Sequence, residues 1–228
     1  MFIANRILKQ RLQNVYFLWG RGKTTIAALL LKHLGDSAVI YSTDDSRWPH
    51  MCEADPSEQP YMCRDYEAEY GVSFWELPKE VIAEREEHFK QEMTPFITAD
   101  LLTMAGKHDV ILCEGDIDYE AVAPIASHAV YLCNRSSSFD WFNRPDHAEA
   151  LDAIRRRTDL SDDEKQEKID AAYAAVAQNE GEIPTWVEHL GIPVVIWDAQ
   201  TAPEQTAEAV ARLFGLDIGN TADNNSIV

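Results

Sequence analysis

The chain has 228 residues, 46% of them hydrophobic, and a formal net charge of −19 from 20 basic against 39 acidic side chains. That is enough apolar material for one large domain or a domain with a lid, while so acidic a chain repels phosphodiester backbones and anionic lipid, which argues against general nucleic-acid or membrane binding. No apolar run approaches the length of a membrane helix, Arg6, Lys9 and Arg11 interrupt the N-terminus where a signal peptide needs an apolar core, and the four cysteines form no C-x-x-C pair, so the sequence reads as cytoplasmic, with no recognisable zinc module.

Residues 4–13 predict a short entry helix with Ile7, Leu8 and Leu12 on one side. Five apolar runs, 15–19, 38–41, 109–113, 129–133 and 193–197, have the length and flanks of buried parallel strands, and helical patterns separate them. The alternation predicts a three-layer α/β/α fold with a five-stranded parallel sheet and functional groups at the carboxyl ends of the strands.

The first run feeds Gly20-Arg21-Gly22-Lys23-Thr24-Thr25, and a second apolar stretch, 26–31, follows it. A strand, a glycine turn and a helix start in that order make a phosphate site: free N–H groups and the helix dipole hold the anion, a lysine reaches the outer phosphates and a hydroxyl ligates Mg²⁺. ATP or GTP is the expected ligand. Counting back along the pattern G-x-x-x-x-G-K-[ST] from Gly22, however, puts Phe17 where the first glycine belongs. Gly20 can take that place only in a loop three residues short, which offers fewer N–H donors.

The second strand ends in Thr43-Asp44-Asp45. Carboxylates there, across from a phosphate loop, can orient an acceptor hydroxyl and take its proton, although a turn or a helix cap would also use Asp45 and Ser46. Asp44 is the catalytic candidate and Asp45 a substrate-binding one. A long insertion, 46–107, follows, rich at first in Pro, Asp, Glu, Trp and Tyr. It then reads as a helix over 79–104, with Val81, Ile82, Phe89, Met93, Phe96, Ile97 and Leu101 at helical intervals and Pro95 expected to kink or divide it. Its position over the mouth of the sheet suits a second substrate.

The third strand runs into Glu114-Gly115-Asp116. A charge at Glu114 is costly if it points into the core, so it should face the site and organise Mg²⁺, with Asp116 and Asp118 as loop residues. After the fourth strand come Arg135, Arg144 and the run Arg155-Arg156-Arg157, a concentration of cations in an acidic chain. Such forks neutralise phosphate oxygens, although a helix end solvated at its negative pole explains the run equally well. Ser161-x-x-Glu164 and Thr201-x-x-Glu204, the latter with Pro203 in the first turn, read as helix starts, Gly215 as a helix stop, and 216–228 as a polar tail.

In this order of elements the chain resembles the small-molecule and nucleoside-monophosphate kinases of the P-loop class, such as shikimate, gluconate and adenylate kinases. The likeness extends over most of 1–215 and is greatest to a bacterial set of kinase-like and ATPase-like proteins, through the phosphate loop, Thr43-Asp44-Asp45 and Phe142-Asn143-Arg144-Pro145-Asp146-His147. The resemblance implies a single domain over 1–215, ATP with Mg²⁺, an acceptor-binding insertion at 46–107 and an arginine lid within 135–160. Gly20, Gly22, Lys23, Thr24, Thr25, Arg135, Arg155 and Arg156 would then hold nucleotide, Thr24 and Glu114 Mg²⁺, Asp45 and Arg157 the acceptor, and Lys23, Asp44, Glu114 and Arg144 would carry the chemistry. The expected activity is transfer of the γ-phosphate to a hydroxyl of a small molecule, by a monomer or homodimer without nucleic-acid or membrane partners. The short loop leaves a second reading: a nucleotide-binding regulatory protein, or an ATPase without efficient transfer.

Overall fold

Residues 15–20 alternate between two apolar layers. Val15, Phe17 and Trp19 enter one core and Leu18 the other, so this strand is buried on both sides. The computed structural model describes residues 3–72, 77–135, 145–177, 181–198 and 200–217. Along the chain these form α1 (Ile3–Arg11), β1 (Val15–Gly20), α2 (Lys23–Leu34), β2 (Ala38–Ser42), α3 (Thr43–Glu53), α4 (Pro60–Cys63), α5 (Tyr66–Tyr70), α6 (Lys79–Ala105), β3 (Val110–Glu114) and α7 (Tyr119–Val122). There follow β4 (His128–Asn134), α8 (Pro145–Arg156), α9 (Asp162–Ala177), α10 (Thr185–His189), β5 (Val194–Trp197) and α11 (Pro203–Phe214). All strands pair in parallel in the order β2-β3-β1-β4-β5, giving the expected α/β fold with a five-stranded parallel sheet and helices on both faces.

On one face Ile26, Ala27 and Leu30 of α2 pack with Ala207, Val210, Ala211 and Phe214 of α11. On the other, Phe89, Met93, Ile97 and Leu101 of α6 pack with Met62, Val122 and Val187. Each of the larger of these side chains, fully buried, is worth roughly 1.5–3 kcal/mol, which holds the layers on the sheet. The chain leaves β1 toward the α2 face and leaves β3 toward the α6 face. A crevice therefore opens between their carboxyl ends, the place where open α/β sheets bind ligands.

Several local expectations are revised. Pro95 does not divide the long helix, which runs unbroken from Lys79 to Ala105. Beside it the Thr94 hydroxyl donates to the Lys90 carbonyl at 2.7 Å and accepts from the Asp118 N–H at 3.1 Å, tying the helix to the loop after β3. Ile7 does not share Leu12's burial: it is 51% exposed. Thr201 does not cap α11. Ala202 is its N-cap with Pro203 in the first turn, because the Thr201 hydroxyl is committed to Asp198 Oδ1 at 2.9 Å. Ser161 and Glu164 do form the reciprocal cap, with bonds of 2.8 and 3.3 Å. The tail from 218 lies outside the described residues, and among those described no helix is long and apolar enough to cross a membrane.

Gly115 fixes how α3 meets β3. Its φ is 120°, and a Cβ there would lie 1.9 Å from the Thr43 hydroxyl oxygen. Gly115→Ala therefore combines backbone strain with overlap against a buried side chain, and a loss of about 1–3 kcal/mol in chemical denaturation is expected. An unchanged denaturation midpoint would contradict the packing described.

Candidate functional site

The crevice between β1 and β3 is floored by a carboxylate that needs a partner. Glu114 is only 3% exposed, and Thr24 Oγ1 donates to its Oε2 at 2.8 Å. The bond fastens the first turn of α2 to the end of β3. The first hydrogen bond of α2 runs from the Ile26 N–H to the Gly22 carbonyl at 3.0 Å, so the N–H groups of Lys23, Thr24 and Thr25 precede the helical ladder at the positive end of the helix dipole.

The turn before them is tight. Gly20 belongs to the β1–β4 ladder opposite Leu132, and the Arg21 N–H donates to the Leu132 carbonyl at 2.9 Å. Gly22, with φ 87°, lies under the Trp197 indole, close enough that a Cβ would sit 2.4 Å from the ring. The indole N–H reaches the Arg21 carbonyl at 3.4 Å. Of the loop's donors, that of Arg21 is consumed by the sheet, and Trp197 fills the space over Gly22.

Lys23 Nζ lies 3.7 Å from Asp116 Oδ1, and Lys90 Nζ of α6 lies 3.8 Å from Asp116 Oδ2. The Tyr119 hydroxyl donates to the same carboxylate at 3.2 Å. Crowding by the protein would raise the Asp116 pKa, but Lys23, Lys90, Tyr119 and the more distant Arg47 outweigh it and hold the group below its ordinary value. Next to this lie two arginines of the insertion. Arg47 of α3 and Arg85 of α6 set their guanidinium groups 4.2 and 4.5 Å from the Phe89 ring centroid, and both approach Glu86, Arg47 at 3.6 Å.

Asp44 and Asp45 fall in the first turn of α3 rather than at the end of the strand, and both are exposed. Ser42 is the cap of that helix, its hydroxyl accepting from the Asp45 N–H at 3.3 Å. The pairing of Ser42 with Glu114 in the sheet puts this turn beside the end of β3, and the Asp44 charge is felt at Tyr119. The back of α3 is pinned by Asp100, which accepts from the Tyr41 hydroxyl at 2.8 Å and lies 3.1 Å from His50 Nε2. Trp48, one turn beyond Asp44, is 71% exposed.

Thus Lys23, Thr24, Thr25, Glu114 and Asp44 gather around one crevice. The arginines after β4 stand differently. Arg155 donates to Asp152 Oδ1 at 2.7 Å, Arg156 lies 4.0 Å from the same carboxylate, and Arg157 donates to Asp159 at 2.6 Å, holding that carboxyl down to about 2. These exposed pairs are those of a solvated helix end. The Arg135 side chain is exposed, and its N–H donates to the Trp197 carbonyl at 2.8 Å. Arg144 and most of the turn before α8 lie outside the described residues. In the sequence Asp116 reads only as a loop residue, and nothing there marks Lys90, Arg47 or Trp197. Only the acidic pair two apart in Glu114-Gly115-Asp116 signalled any of them.

Two outcomes follow. Thr24→Ala leaves the buried Glu114 carboxylate without its donor and should cost about 1–3 kcal/mol, while Thr24→Ser is neutral; equal stability of the two variants in urea would contradict the bond. Asp116, with its folded pKa depressed, stabilises the fold above the ordinary value of 3.8 and ceases to as pH falls through the lower folded value. The stability difference between wild type and Asp116→Asn should therefore be full at neutral pH and shrink below pH 3.8, and a pH-independent difference would contradict it. No protein-family model matches the chain, and no curated protein matches it significantly.

Proposed function

We infer that this protein is an ATP-dependent phosphotransferase of the P-loop kinase kind, acting on a hydroxyl of a small molecule. One observation carries the reading: the first turn of α2, Lys23 and the Thr24–Glu114 pair converge at the crevice where a parallel sheet binds ligands, with Asp44 on its rim. The residues fit the terminal phosphates of ATP, which would meet the N–H groups of Lys23, Thr24 and Thr25 and the Lys23 ammonium. Thr24 Oγ1 and Glu114 would be the hard oxygen donors for Mg²⁺, an ion that takes one or two protein oxygens together with phosphate and water. Mg²⁺, when bound, would neutralise charge on the β- and γ-phosphates.

In the transfer the acceptor oxygen bonds to the γ-phosphorus as the bond from that phosphorus to the β,γ-bridging oxygen breaks. The hydroxyl proton passes to Asp44, and ADP leaves. Asp44 serves by orienting the hydroxyl and accepting its proton, and the insertion, α3 to α6, covers the acceptor. The fit is poorer along the phosphate chain, since the Arg21 N–H is bound to Leu132 and Trp197 lies over Gly22. This favours, as a second reading, a protein that binds nucleotide without efficient transfer.

A hydroxyl-compound panel with ATP and Mg²⁺, read as ADP formed and phosphorylated product by mass, separates the two. The kinase reading expects an acceptor-dependent product, lost in Lys23→Ala and reduced at least roughly a hundredfold in kcat by Asp44→Asn. Nucleotide binding with no product from any acceptor would favour the second reading.

A further inference from the structure

The cation that shares a carboxylate with Lys23 comes from the insertion. Asp116 is touched through Oδ1 by Lys23 at 3.7 Å and through Oδ2 by Lys90 at 3.8 Å. Both separations exceed hydrogen-bonding distance, so the carboxylate is flanked by the ammonium groups rather than gripped. The lysines are only 20% and 28% exposed, while the Asp116 side chain, at 53%, opens toward solvent. The turn of α6 that carries Lys90 is tied to the loop that carries Asp116: the Lys90 backbone carbonyl accepts from the Thr94 hydroxyl, which in turn receives the Asp118 N–H. The Lys90 ammonium also lies 5.9 Å from the Tyr119 ring centroid. Two partly buried ammonium groups held on one anion, at the mouth of a phosphate site, make a receptor for a group with more oxyanion charge than a carboxylate.

On the phosphotransferase reading, we propose that Lys90 is a second phosphate-binding residue, which together with Lys23 clamps the transferring phosphoryl group, and that the Asp116 carboxylate bridges the two lysines until that group takes its place between them. Lys23 serves the whole phosphate chain from the start of α2. Lys90, arriving from the acceptor side, meets only the terminal phosphate. This assigns to the insertion the charge neutralisation that Arg155, Arg156 and Arg157, paired with Asp152 and Asp159, would otherwise supply.

The test is equilibrium binding of ATP and of ADP, each with Mg²⁺, by calorimetry on the full chain. Wild type should prefer ATP. Lys90→Met should reduce that preference by roughly tenfold or more with ADP affinity unchanged, and Lys90→Arg should restore it. Lys23→Met should weaken both nucleotides, and Asp116→Asn, which removes the competing anion, should tighten ATP. An unchanged ATP-to-ADP ratio in a Lys90→Met protein of wild-type thermal stability overturns the role of Lys90 and leaves the kinase reading standing. Equal weakening of both nucleotides with a lowered Tm also overturns it, since that is what a merely structural lysine produces. Failure of wild type to bind either nucleotide overturns the kinase reading, and the clamp with it.

Discussion

The buried Glu114 carboxylate is the constraint on which the crevice depends. A charge this deeply withdrawn from water is tolerated only with a donor, and the Thr24 hydroxyl at 2.8 Å supplies one. That bond fastens the first turn of α2, with its N–H groups and Lys23, to the end of β3. Gly115 then lets the chain turn against Thr43, so that the start of α3 and the loop bearing Asp116 share the edge of the same hollow. Lys23 of α2 and Lys90 of α6 thereby meet at Asp116, while Arg47 of α3 and Arg85 of α6 share Phe89 and Glu86.

The layers beneath keep this edge rigid. Trp19 at the end of β1 is buried, and its ring lies 5.2 Å from that of Tyr119, which stacks on Trp186 at 4.2 Å with an interplanar angle of 11°. Aromatic contacts of this kind add to the burial they represent. Tyr119 thus links the core to the Asp116 carboxylate by its hydroxyl, and movement of the loop after β3 is opposed by packing as well as by charge.

Much of the architecture was legible because parallel strands covered on both faces appear as uninterrupted apolar runs. All five appear within a residue or so of their expected limits. That Glu114 meets the start of α2 was legible for a related reason: a polar side chain at the end of a buried strand has few directions in which to point. What escaped depended on tertiary position. Nothing around Lys90 marks it as different from the other charges of α6 until Thr94 fixes that helix to the loop after β3. Trp197 lies 176 residues from Arg21, so its closure of the short turn is a product of strand order. Thr201 resembled a cap by spacing, but Asp198, three residues earlier, competed for its hydroxyl.

The central claim is that the short turn still presents the start of α2 to phosphate. Backbone amide NMR during titration with MgADP tests it directly. Large shifts are expected at Lys23, Thr24 and Thr25, with the Arg21 amide, bonded to Leu132, moving little. Shifts confined to other parts of the chain, or an Arg21 amide released from the sheet and moving with the rest, would contradict it.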